Sequence, residues 1–399
     1  MTYFTLLPIA KFEYDKFGGS IINLLDFSRI HYNEEEKDFL LGVLNCNIEN
    51  IEEYNSEEQK IILELLDKGF AYLYNNPVFN EHHRDNREAE IRGLVEEVPH
   101  FSKIYIEITE ECDRKCEFCE SNLLIEKACD TCIRWKKKRK SGEIIFDYGK
   151  MIQRIAGLWV DEIVISGGNP LLAKEKLMDY ITKIREAMEE VKISVYTNGE
   201  GLDKQLMHLF TEYDVSVKFV LLDFSVGGNL GEVKENIYRN IRECVETNVE
   251  CSVILLGKEA LMQKKEKIQM ELECTVDLEV PIDKEICDKN KFSERRKRVT
   301  KRYWKNQKYS SCLNNKLAIS LDGLIRPCPM IDDTLIDLKN EKFDELFQKM
   351  IIDKYWRFTK NNVKMCHDCP YKYSCEDCTA LELEINKGMV SYKRLCDRI

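Results

Sequence analysis

The stretch KIYIEITEECDRKCEFCESN, residues 103–122, decides how this chain of 399 residues is interpreted. Residues 103–109 predict a β-strand, and Cys112, Cys116 and Cys119 follow it on a loop with the spacing C-x3-C-x2-C. Three thiolates leave a tetrahedral zinc site one ligand short, but they can hold three irons of a [4Fe–4S] cluster and leave the fourth iron open. A zinc knuckle or a set of buried free thiols are the alternatives for the triplet alone.

The composition combines many cysteines with the absence of a visible secretory signal. The chain has 17 cysteines, and its start, MTYFTLLPIAKFEYDKF, lacks the basic region and long apolar core of a signal peptide. No apolar run approaches the ~20 residues that cross a bilayer. We therefore expect a cytoplasmic protein without membrane contact, whose cysteines serve metal or redox chemistry rather than a disulfide framework.

Charge argues against nucleic acid as a partner, because the net charge is −11. Two local basic runs remain, at 134–140 and 291–308. Most charge runs are solvated surfaces, and that is the interpretation adopted here. Docking of an acidic electron donor or of a peptide is the functional alternative.

The first 85 residues predict a small separate domain with a winged-helix-like outline. Two capping boxes mark helix starts, one with Asn33 and Glu36 and the other with Ser56 and Gln59. The predicted elements in chain order are a strand at 2–7, a strand at 20–30, a helix at 33–44, a helix from residue 56 and a strand at 70–75.

From residue 103 to about 300, predicted strands alternate with amphipathic segments, which indicates parallel βαβ units and an α/β fold. Six such units predict a partial (β/α)6 barrel, open on one side, with its chemistry at the C-terminal ends of the strands. A linker at 86–102 precedes this domain, and a cysteine-rich domain at 301–399 follows it. The predicted strands are 103–109, 161–166, 192–197, 215–224, 250–256 and 277–280.

The triplet, with Phe118 directly before its third cysteine, resembles the signature of the radical S-adenosylmethionine (SAM) superfamily. In that family the open iron binds the amino and carboxylate groups of SAM, and an electron from the cluster splits SAM into methionine and a 5′-deoxyadenosyl radical. The resemblance implies a [4Fe–4S] cluster on Cys112, Cys116 and Cys119, SAM as cofactor, and an electron donor such as flavodoxin or ferredoxin.

Two turns after the next strands resemble SAM-binding motifs of the same family. Ser166-Gly167-Gly168-Asn169-Pro170 resembles the GGEP motif, whose backbone carries the methionyl amino group, with an uncharged amide in place of the usual Glu. Thr197 and Asn198 belong to a turn that resembles the TNG motif near the ribose and methionyl portions. Asp223 and Ser225 fall where family members contact the ribose or the substrate. Plain strand-to-helix turns and satisfied strand-end polar residues are the alternatives.

Seven cysteines near the C-terminus form a second motif. Their order is Cys312, Gly323-x4-Cys328, Cys366-x2-Cys369-x5-Cys375-x2-Cys378 and Cys396, and LAISLDGLIRPC (317–328) predicts a strand, a turn and a strand. The pattern resembles the SPASM extension of radical SAM enzymes, which binds two auxiliary [4Fe–4S] clusters. Zinc ribbons are the alternative for C-x2-C pairs.

The SPASM resemblance implies a distribution of ligands over two clusters. The outer cluster would be held by Cys366, Cys369, Cys375 and Cys396, and the inner one by Cys312, Cys328 and Cys378. The last interval of the motif is x2 where the family usually has x3, and the inner cluster lacks a fourth ligand. Cys129-x2-Cys132 matches neither motif and could complete a metal site, act as a redox pair or serve packing.

The resemblance implies a radical SAM peptide maturase. Its N-terminal domain would bind the leader of a precursor peptide as an added strand, and the radical would abstract hydrogen from the core to form a thioether or carbon–carbon crosslink. The thioether is slightly favoured, because three inner ligands leave an iron free for a substrate thiolate. The alternatives are a maturase that generates formylglycine in sulfatases and, in a different class, a zinc-binding winged-helix regulator of DNA. The sequence singles out no catalytic side chain.

Overall fold

The computed structural model describes residues 2–44, 46–48, 50–76, 100–114, 116, 119, 123–125, 127–136, 147–223, 230–257, 262–279, 282–283, 303–348, 352–375, 377–386 and 396. Phe118, Ser225, most of the predicted linker at 86–102 and large parts of both basic runs lie outside these ranges. The described chain is a mixed α/β structure. None of its helices is long and apolar enough to cross a membrane.

The strands, in chain order, are β1 (Tyr3–Leu6), β2 (Ala10–Asp15), β3 (Gly18–Asn23), β4 (Arg29–Tyr32), β5 (Ala71–Tyr74), β6 (His100–Phe101), β7 (Lys103–Glu107), β8 (Leu123–Leu124), β9 (Trp159–Val160), β10 (Glu162–Ser166), β11 (Lys192–Thr197), β12 (Val215–Asp223), β13 (Cys251–Gly257), β14 (Thr275–Glu279), β15 (Ile282–Asp283), β16 (Lys316–Ile319), β17 (Leu324–Arg326) and β18 (Ile336–Asp337). The described α-helices are Glu34–Val43, Ser56–Asp67, Tyr148–Ala156, Lys174–Ala187, Lys204–Glu212, Leu230–Glu246, Met262–Leu272, Tyr303–Lys308, Glu345–Gln348, Asp353–Trp356 and Thr379–Ile385. Short 3-10 turns span Ile51–Glu53, Ala128–Asp130, Pro170–Ala173 and Lys360–Asn362.

Nine of the described strands form one central sheet, in the order β14-β13-β12-β11-β10-β7-β16-β17-β18. The six strands predicted from residue 103 onward are confirmed as β7 and β10 to β14, with ends that differ by at most two residues. All of them pair in parallel, so their C-terminal ends lie along one edge of the sheet. The polar turns that the sequence analysis singled out therefore share that edge.

The predicted hairpin near the C-terminus is confirmed as β16 and β17, which pair antiparallel. Its position was not predicted: β16 lies parallel to β7, with Lys316 opposite Lys103 and Ile319 opposite Ile106. The cysteine-rich region therefore continues the central sheet on the far side of β7. Trp356 reinforces the junction, because its indole N–H donates to the carbonyl oxygen of Lys316 at 3.2 Å.

The two faces of the sheet are covered by different parts of the chain. Side chains alternate along a strand, and Ile104 and Ile163 face a large core that includes the helices. Tyr105 and Tyr196 face the other way and pack in a second core with Cys129 from the 3-10 turn 128–130. We call the face that carries Tyr105 and Tyr196 the inner face of the sheet. The segment after the triplet packs against this face.

The N-terminal residues form a unit with a core of their own, in which Phe4, Ile21, Leu40 and Ile62 are fully buried. The strand order β2-β3-β4 is antiparallel, and β1 pairs separately with β5. The prediction of one strand over 20–30 is wrong, because a turn separates β3 from β4. The sequence analysis also missed β2. The antiparallel sheet therefore has three strands, where one strand over 20–30 was predicted.

The helix starts of this unit are set by asparagine caps. Asn33 and Glu36 form the predicted capping box, with the Glu36 N–H donating to Asn33 Oδ1 at 2.9 Å. The second box lies one residue earlier than predicted, on Asn55 and Glu58 rather than on the pair that starts at Ser56. The Asn55 side chain accepts from two backbone N–H groups, whereas that of Asn33 accepts from one, so Asn55 is the stronger cap of the two.

The N-terminal unit docks on the C-terminal region through Tyr303. This residue is fully buried, its hydroxyl donates to Glu13 Oε1 at 2.5 Å, and Lys11 Nζ donates to the same hydroxyl at 3.0 Å. Burial and the Glu13 carboxylate raise the pKa of Tyr303, which keeps the hydroxyl protonated and able to donate. A second contact joins His31 Nδ1 to the hydroxyl of Tyr371 at 3.0 Å.

We predict that Tyr303→Phe lowers the free energy of unfolding by about 1–2 kcal/mol, because Glu13 loses a donor while it stays mostly buried. Urea denaturation of the reduced chain measures the change. Tyr72→Phe is the matched control: Tyr72 is 58% exposed, and its change should stay within about 0.5 kcal/mol. Equal effects of the two substitutions would contradict the role of the Tyr303 hydroxyl in docking.

Candidate cofactor and metal site

The cysteine triplet lies at the C-terminal edge of the central sheet, on the loop that follows β7. Cys112, Cys116 and Cys119 are half-buried, and the backbone N–H of Cys119 donates to the carbonyl oxygen of Cys116 at 3.0 Å. Burial and the neighbouring thiols of Cys119 and Cys112 raise the pKa of Cys116 to about 12. The three thiols are therefore close enough to influence one another, and a bound cation would have to displace their protons.

The two glycines after β10 lie against the triplet loop. A Cβ on Gly168 would stand 2.0 Å from the carbonyl oxygen of Glu111, and one on Gly167 would stand 2.6 Å from that of Thr109. Gly167 also has a φ of +104°, which side-chain-bearing residues rarely adopt. The N–H of Asn169 donates to the Glu111 carbonyl at 2.6 Å, so the turn and the triplet loop are joined backbone to backbone.

Asn169 connects three loops at this edge and is fully buried. Its amide nitrogen donates to Asp113 Oδ1 at 3.0 Å and to the carbonyl oxygen of Glu200 at 2.9 Å. Its amide oxygen accepts from the hydroxyl of Thr197 at 2.8 Å. A glutamate has no N–H to donate at these two positions, so the asparagine is matched to this hydrogen-bond pattern.

Asn198 makes the direct contact between the β11 turn and the triplet. Its amide nitrogen donates to Asp113 Oδ1 at 3.0 Å and to Cys112 Sγ at 3.7 Å. The structure thus brings Asn169, Thr197 and Asn198 together beside the first cysteine. Asp113 is the shared acceptor, and the sequence analysis missed it, although its position between two cysteines of the triplet was a usable signal.

The remaining predicted cofactor residues are placed less fully. Ser166 is buried at the end of β10, where its hydroxyl accepts from the indole N–H of Trp135 at 3.1 Å, and Pro170 begins the short 3-10 turn that follows. Asp223 is the last residue of β12 and pairs with Gly257 through the backbone. Its position at the same edge of the sheet is described, whereas Ser225 lies outside the described residues.

A second group of thiols lies under the inner face of the sheet. Cys328 and Cys378 are buried in one apolar cluster, and Cys312 packs against that cluster. The hydrogen bond to Cys378 lowers the pKa of Cys312 to about 6, with further help from the charge of Lys316. Cys129 belongs to the same cluster, and its contact with Cys328 is the largest cause of the raised pKa of Cys328. The sequence analysis left Cys129 without a partner, and the contact joins residues about 200 positions apart, which spacing could not reveal.

A third group is formed by Cys366, Cys369 and Cys375 in the turns after residue 363. Backbone hydrogen bonds link Cys369 to Cys366 at 3.1 Å. Burial is the main cause that raises the pKa of Cys375 to about 12, and Asp377, Cys366 and Cys369 raise it further. The positive charge of Lys360 opposes this shift. Cys396 is half-buried.

Arg29 of the N-terminal unit approaches this third group. Its side chain is 1% exposed, its guanidinium stacks over the ring of Tyr371 at 5.3 Å, and it lies within electrostatic reach of Cys369. Within the part of the chain that the structure describes, none of its three side-chain nitrogens has a hydrogen-bond partner. Buried guanidinium donors beside thiols fit an anionic sulfur cluster, because such a cluster would accept their hydrogen bonds.

Half-buried charges lie between the sheet and the second thiol group. Lys103 Nζ stands 3.4 Å from Asp130 Oδ1 and 3.2 Å from Glu162 Oε2, and the hydroxyl of Tyr105 donates to Asp130 at 2.9 Å. Burial opposes the charge of Lys316, but Cys312, Cys129 and Asp130 outweigh it and raise the pKa of this lysine. The thiols therefore face a fixed positive charge.

The donor sets are compatible with iron–sulfur clusters. Sixteen cysteines lie in the described ranges, and no disulfide joins them. Among the described residues, no group of three or more His, Cys, Asp or Glu side chains is arranged to hold one metal ion. In a [4Fe–4S] cluster each thiolate binds a different iron, so its ligands need not converge on one point.

Known proteins resemble the chain in sequence and in structure. No protein-family profile matches it. The probable GTP 3′,8-cyclase of Methanococcus maripaludis is 26% identical over 276 residues, which are 59% of this chain and 87% of that protein.

Solved structures resemble the chain over most of its length. SuiB of Streptococcus suis bound to S-adenosylmethionine is 14% identical with a TM-score of 0.54, over 99% of this chain and 100% of that chain. The protein anSMEcpe with bound AdoMet is 15% identical with a TM-score of 0.51, over 73% of this chain and 88% of that chain. At these identities the likeness establishes a shared fold.

We predict that Gly168→Ala lowers the free energy of unfolding by about 1–3 kcal/mol, because its Cβ would force the turn away from Glu111. Gly42→Ala is the matched control: a Cβ there meets nothing within 4 Å, so the helix should gain up to about 1 kcal/mol. Urea denaturation of both variants gives the comparison. A Gly168→Ala chain as stable as the wild type would show that the close backbone approach does not exist.

Proposed function

We propose that this chain is a radical SAM enzyme that modifies a ribosomally made precursor peptide. The observation that carries the proposal is the likeness in fold to SuiB, which covers 99% of the chain and therefore its N-terminal unit as well. SuiB is also known in a complex with the precursor peptide SuiA, and the likeness to that complex has a TM-score of 0.52. The cysteine triplet and the turns beside it support the same conclusion independently.

In this proposal the triplet loop holds the cluster, and the turns around it hold SAM. Cys112, Cys116 and Cys119 supply three thiolates. The backbone of Gly167 and Gly168 lies against the triplet loop, so it could bind the methionyl group of SAM without interference from a side chain. Asn198 donates to Cys112, which would stabilise the thiolate form of that ligand. When bound, the cluster and SAM supply a 5′-deoxyadenosyl radical. The chain fixes the relative positions of the loops through Asn169 and Asp113.

The two further thiol groups support a SPASM-type region with two auxiliary clusters. Cys366, Cys369 and Cys375 would hold the outer one with Cys396. The nitrogens of Arg29, one of which pairs with Glu13 at 4.0 Å, have no hydrogen-bond acceptor among the described residues and would then gain acceptors. Cys312, Cys328 and Cys378 would hold the inner one beside Lys316. The proximity of the thiols within each group supports these ligand assignments.

The N-terminal unit is proposed to bind the leader of the precursor. Among the described residues, six of the nine exposed large apolar side chains lie within residues 2–76, including Tyr14 at 50% and Tyr72 at 58% exposure. Exposed apolar side chains beside edge strands favour the addition of a peptide strand. Because Tyr303 and Tyr371 connect this unit to the cysteine-rich region, a bound leader would be held at a fixed position relative to the sheet.

The contacts of Cys129 weaken the reason for favouring a thioether. That preference assumed an inner cluster with three thiolates, whereas Cys129 is buried in the same cluster as Cys328 and Cys378. We therefore propose an oxidative crosslink without a preference for the bond type. A formylglycine-generating maturase is the second candidate, since anSMEcpe shares the fold. That likeness covers only 73% of the chain, and such a maturase would not need the first 85 residues.

We predict that the wild-type chain reconstituted without oxygen binds ~12 iron, and that the triple variant Cys112→Ala, Cys116→Ala, Cys119→Ala binds ~8. The same variant should lose all cleavage of SAM, because its fourth iron no longer exists to bind SAM. Iron analysis and chromatography of the nucleoside products give both values. Cys251→Ala, at the opposite end of the sheet, serves as the control and should change neither. SAM cleavage by the triple variant would contradict the proposal.

We predict that deletion of residues 1–85 abolishes tight binding of a precursor peptide encoded next to this chain, because the leader loses the strand it would extend. Calorimetric titration measures the affinity. Slow SAM cleavage without peptide should persist in the truncated chain, which also serves as the test that the remainder is folded. Unchanged precursor affinity in a truncated chain that still cleaves SAM would disprove leader binding by this unit.

A further inference from the structure

The second thiol group has four members, of which the cysteine motifs account for three. Cys129 is 6% exposed, Cys328 and Cys378 are 5% exposed, and all three belong to one buried cluster against which Cys312 packs. Within this cluster the thiols influence one another in two pairs, since Cys129 is the largest cause of the raised pKa of Cys328 and Cys378 is the largest cause of the lowered pKa of Cys312. Two thiol pairs therefore meet in one buried space under the inner face of the sheet.

The position of Cys129 is fixed from both sides. On the sheet side, its neighbour Asp130 accepts from the hydroxyl of Tyr105 at 2.9 Å and pairs with Lys103. On the side of the C-terminal region, Arg326 donates to the carbonyl oxygen of Lys136 at 2.7 Å, and the N–H of Lys136 donates to the carbonyl of Pro329 at 3.1 Å. The 128–136 segment is therefore held against the loop that carries Cys328.

We propose that Cys129 is the fourth thiolate ligand of the inner auxiliary [4Fe–4S] cluster, together with Cys312, Cys328 and Cys378. This inference rests on the proposed function, because it takes the inner cluster from it. A four-thiolate set binds every iron of the cube and leaves none open. The substrate then cannot bind this cluster through a thiolate of its own, so the inner cluster does not select a cysteine in the peptide.

The surroundings of the four thiols fit this role. Four thiolates give the site a large negative charge, which needs compensation in a buried place. Lys316 follows Cys312 by four residues, lies within the electrostatic reach of Cys312, Cys129 and Cys328, and is half-buried. Cys251 and Cys274 form a separate thiol pair, away from the inner site. In the described part of the chain, no comparable cation acts on the pKa of either thiol.

Cys132 lies beside the triplet rather than in the inner site. It packs with Cys119 in a different apolar cluster from that of Cys129. Three residues of extended chain span at most about 11 Å, so the C-x2-C segment keeps the two sites near each other. One short segment would then contribute to the walls of both sites, with its first cysteine as a ligand of the inner one.

The test uses the full chain with the triplet replaced by alanine, so that the remaining ~8 iron belongs to the auxiliary sites. Adding Cys129→Ala should lower the content to between ~4 and ~7 iron and, where three thiolates remain loaded, produce the electron paramagnetic resonance signal of an oxidised three-iron cluster. Adding Cys251→Ala is the matched control and should leave ~8 iron and the parental spectrum. Unchanged iron and an unchanged spectrum in the Cys129→Ala chain would overturn the proposal.

A second variant covers the case in which Cys129→Ala fails to fold. Cys129→Ser keeps a small polar side chain whose oxygen can bind iron, so it should keep ~8 iron with a shifted spectrum. A parental spectrum in Cys129→Ser would overturn the proposal. One zinc per chain that disappears with Cys129, while the iron is unchanged, would assign a zinc site instead and also overturn it. A wild-type chain that takes up no iron at all would contradict the proposed function itself.

Discussion

Strand β7 pairs in parallel with β10 on one side and with β16 on the other, and every proposed cofactor contact depends on this double pairing. The pairing with β10 sets the triplet loop beside the turn that contains Gly167 and Gly168. The pairing with β16 carries the cysteine-rich region to the inner face of the sheet. Glu107, the last residue of β7, reinforces the second pairing by accepting from the N–H of Leu321 at 2.9 Å. One strand therefore positions the first thiol group and helps to position the second.

The edge of the sheet is held together by backbone contacts that exclude larger residues. Glycine at 168 permits an approach to Glu111 that any Cβ would prevent. Asn169 then uses all of its amide to connect the β10 turn, the triplet loop and the β11 turn. The replacement of a glutamate by this asparagine exchanges a charge for two donated hydrogen bonds, so binding of SAM would rely on the backbone and on the neighbouring side chains.

Local signals in the sequence predicted the parallel strands and the first helix cap, because alternation of apolar residues and the Asn33–Glu36 pair act over a few positions. They failed at the 20–30 segment, where a tight turn interrupts a run that is apolar enough for one strand. The triplet was singled out from its spacing and the turns at 166–170 and 197–198 from their resemblance to radical SAM motifs, and the structure brings them together. Arg29 was missed and Cys129 was left without a partner, since their partners are determined by the tertiary fold alone. Asp113 was missed although its place between two cysteines of the triplet was a usable signal. The roles of the predicted site residues, Asp223, Ser225 and Cys396 included, stay predictions.

The measurement that tests the account most directly is an anaerobic incubation of the reconstituted full chain with SAM, a reductant and its precursor peptide carrying deuterium. The account predicts that the labelled peptide transfers deuterium to the 5′-deoxyadenosine product, and that an unlabelled peptide treated in parallel becomes lighter by ~2 Da for each crosslink, since the cofactor removes hydrogen and the chain positions the target. A peptide that gains a methyl group while SAM becomes S-adenosylhomocysteine would contradict it. So would a fully loaded chain that leaves SAM intact.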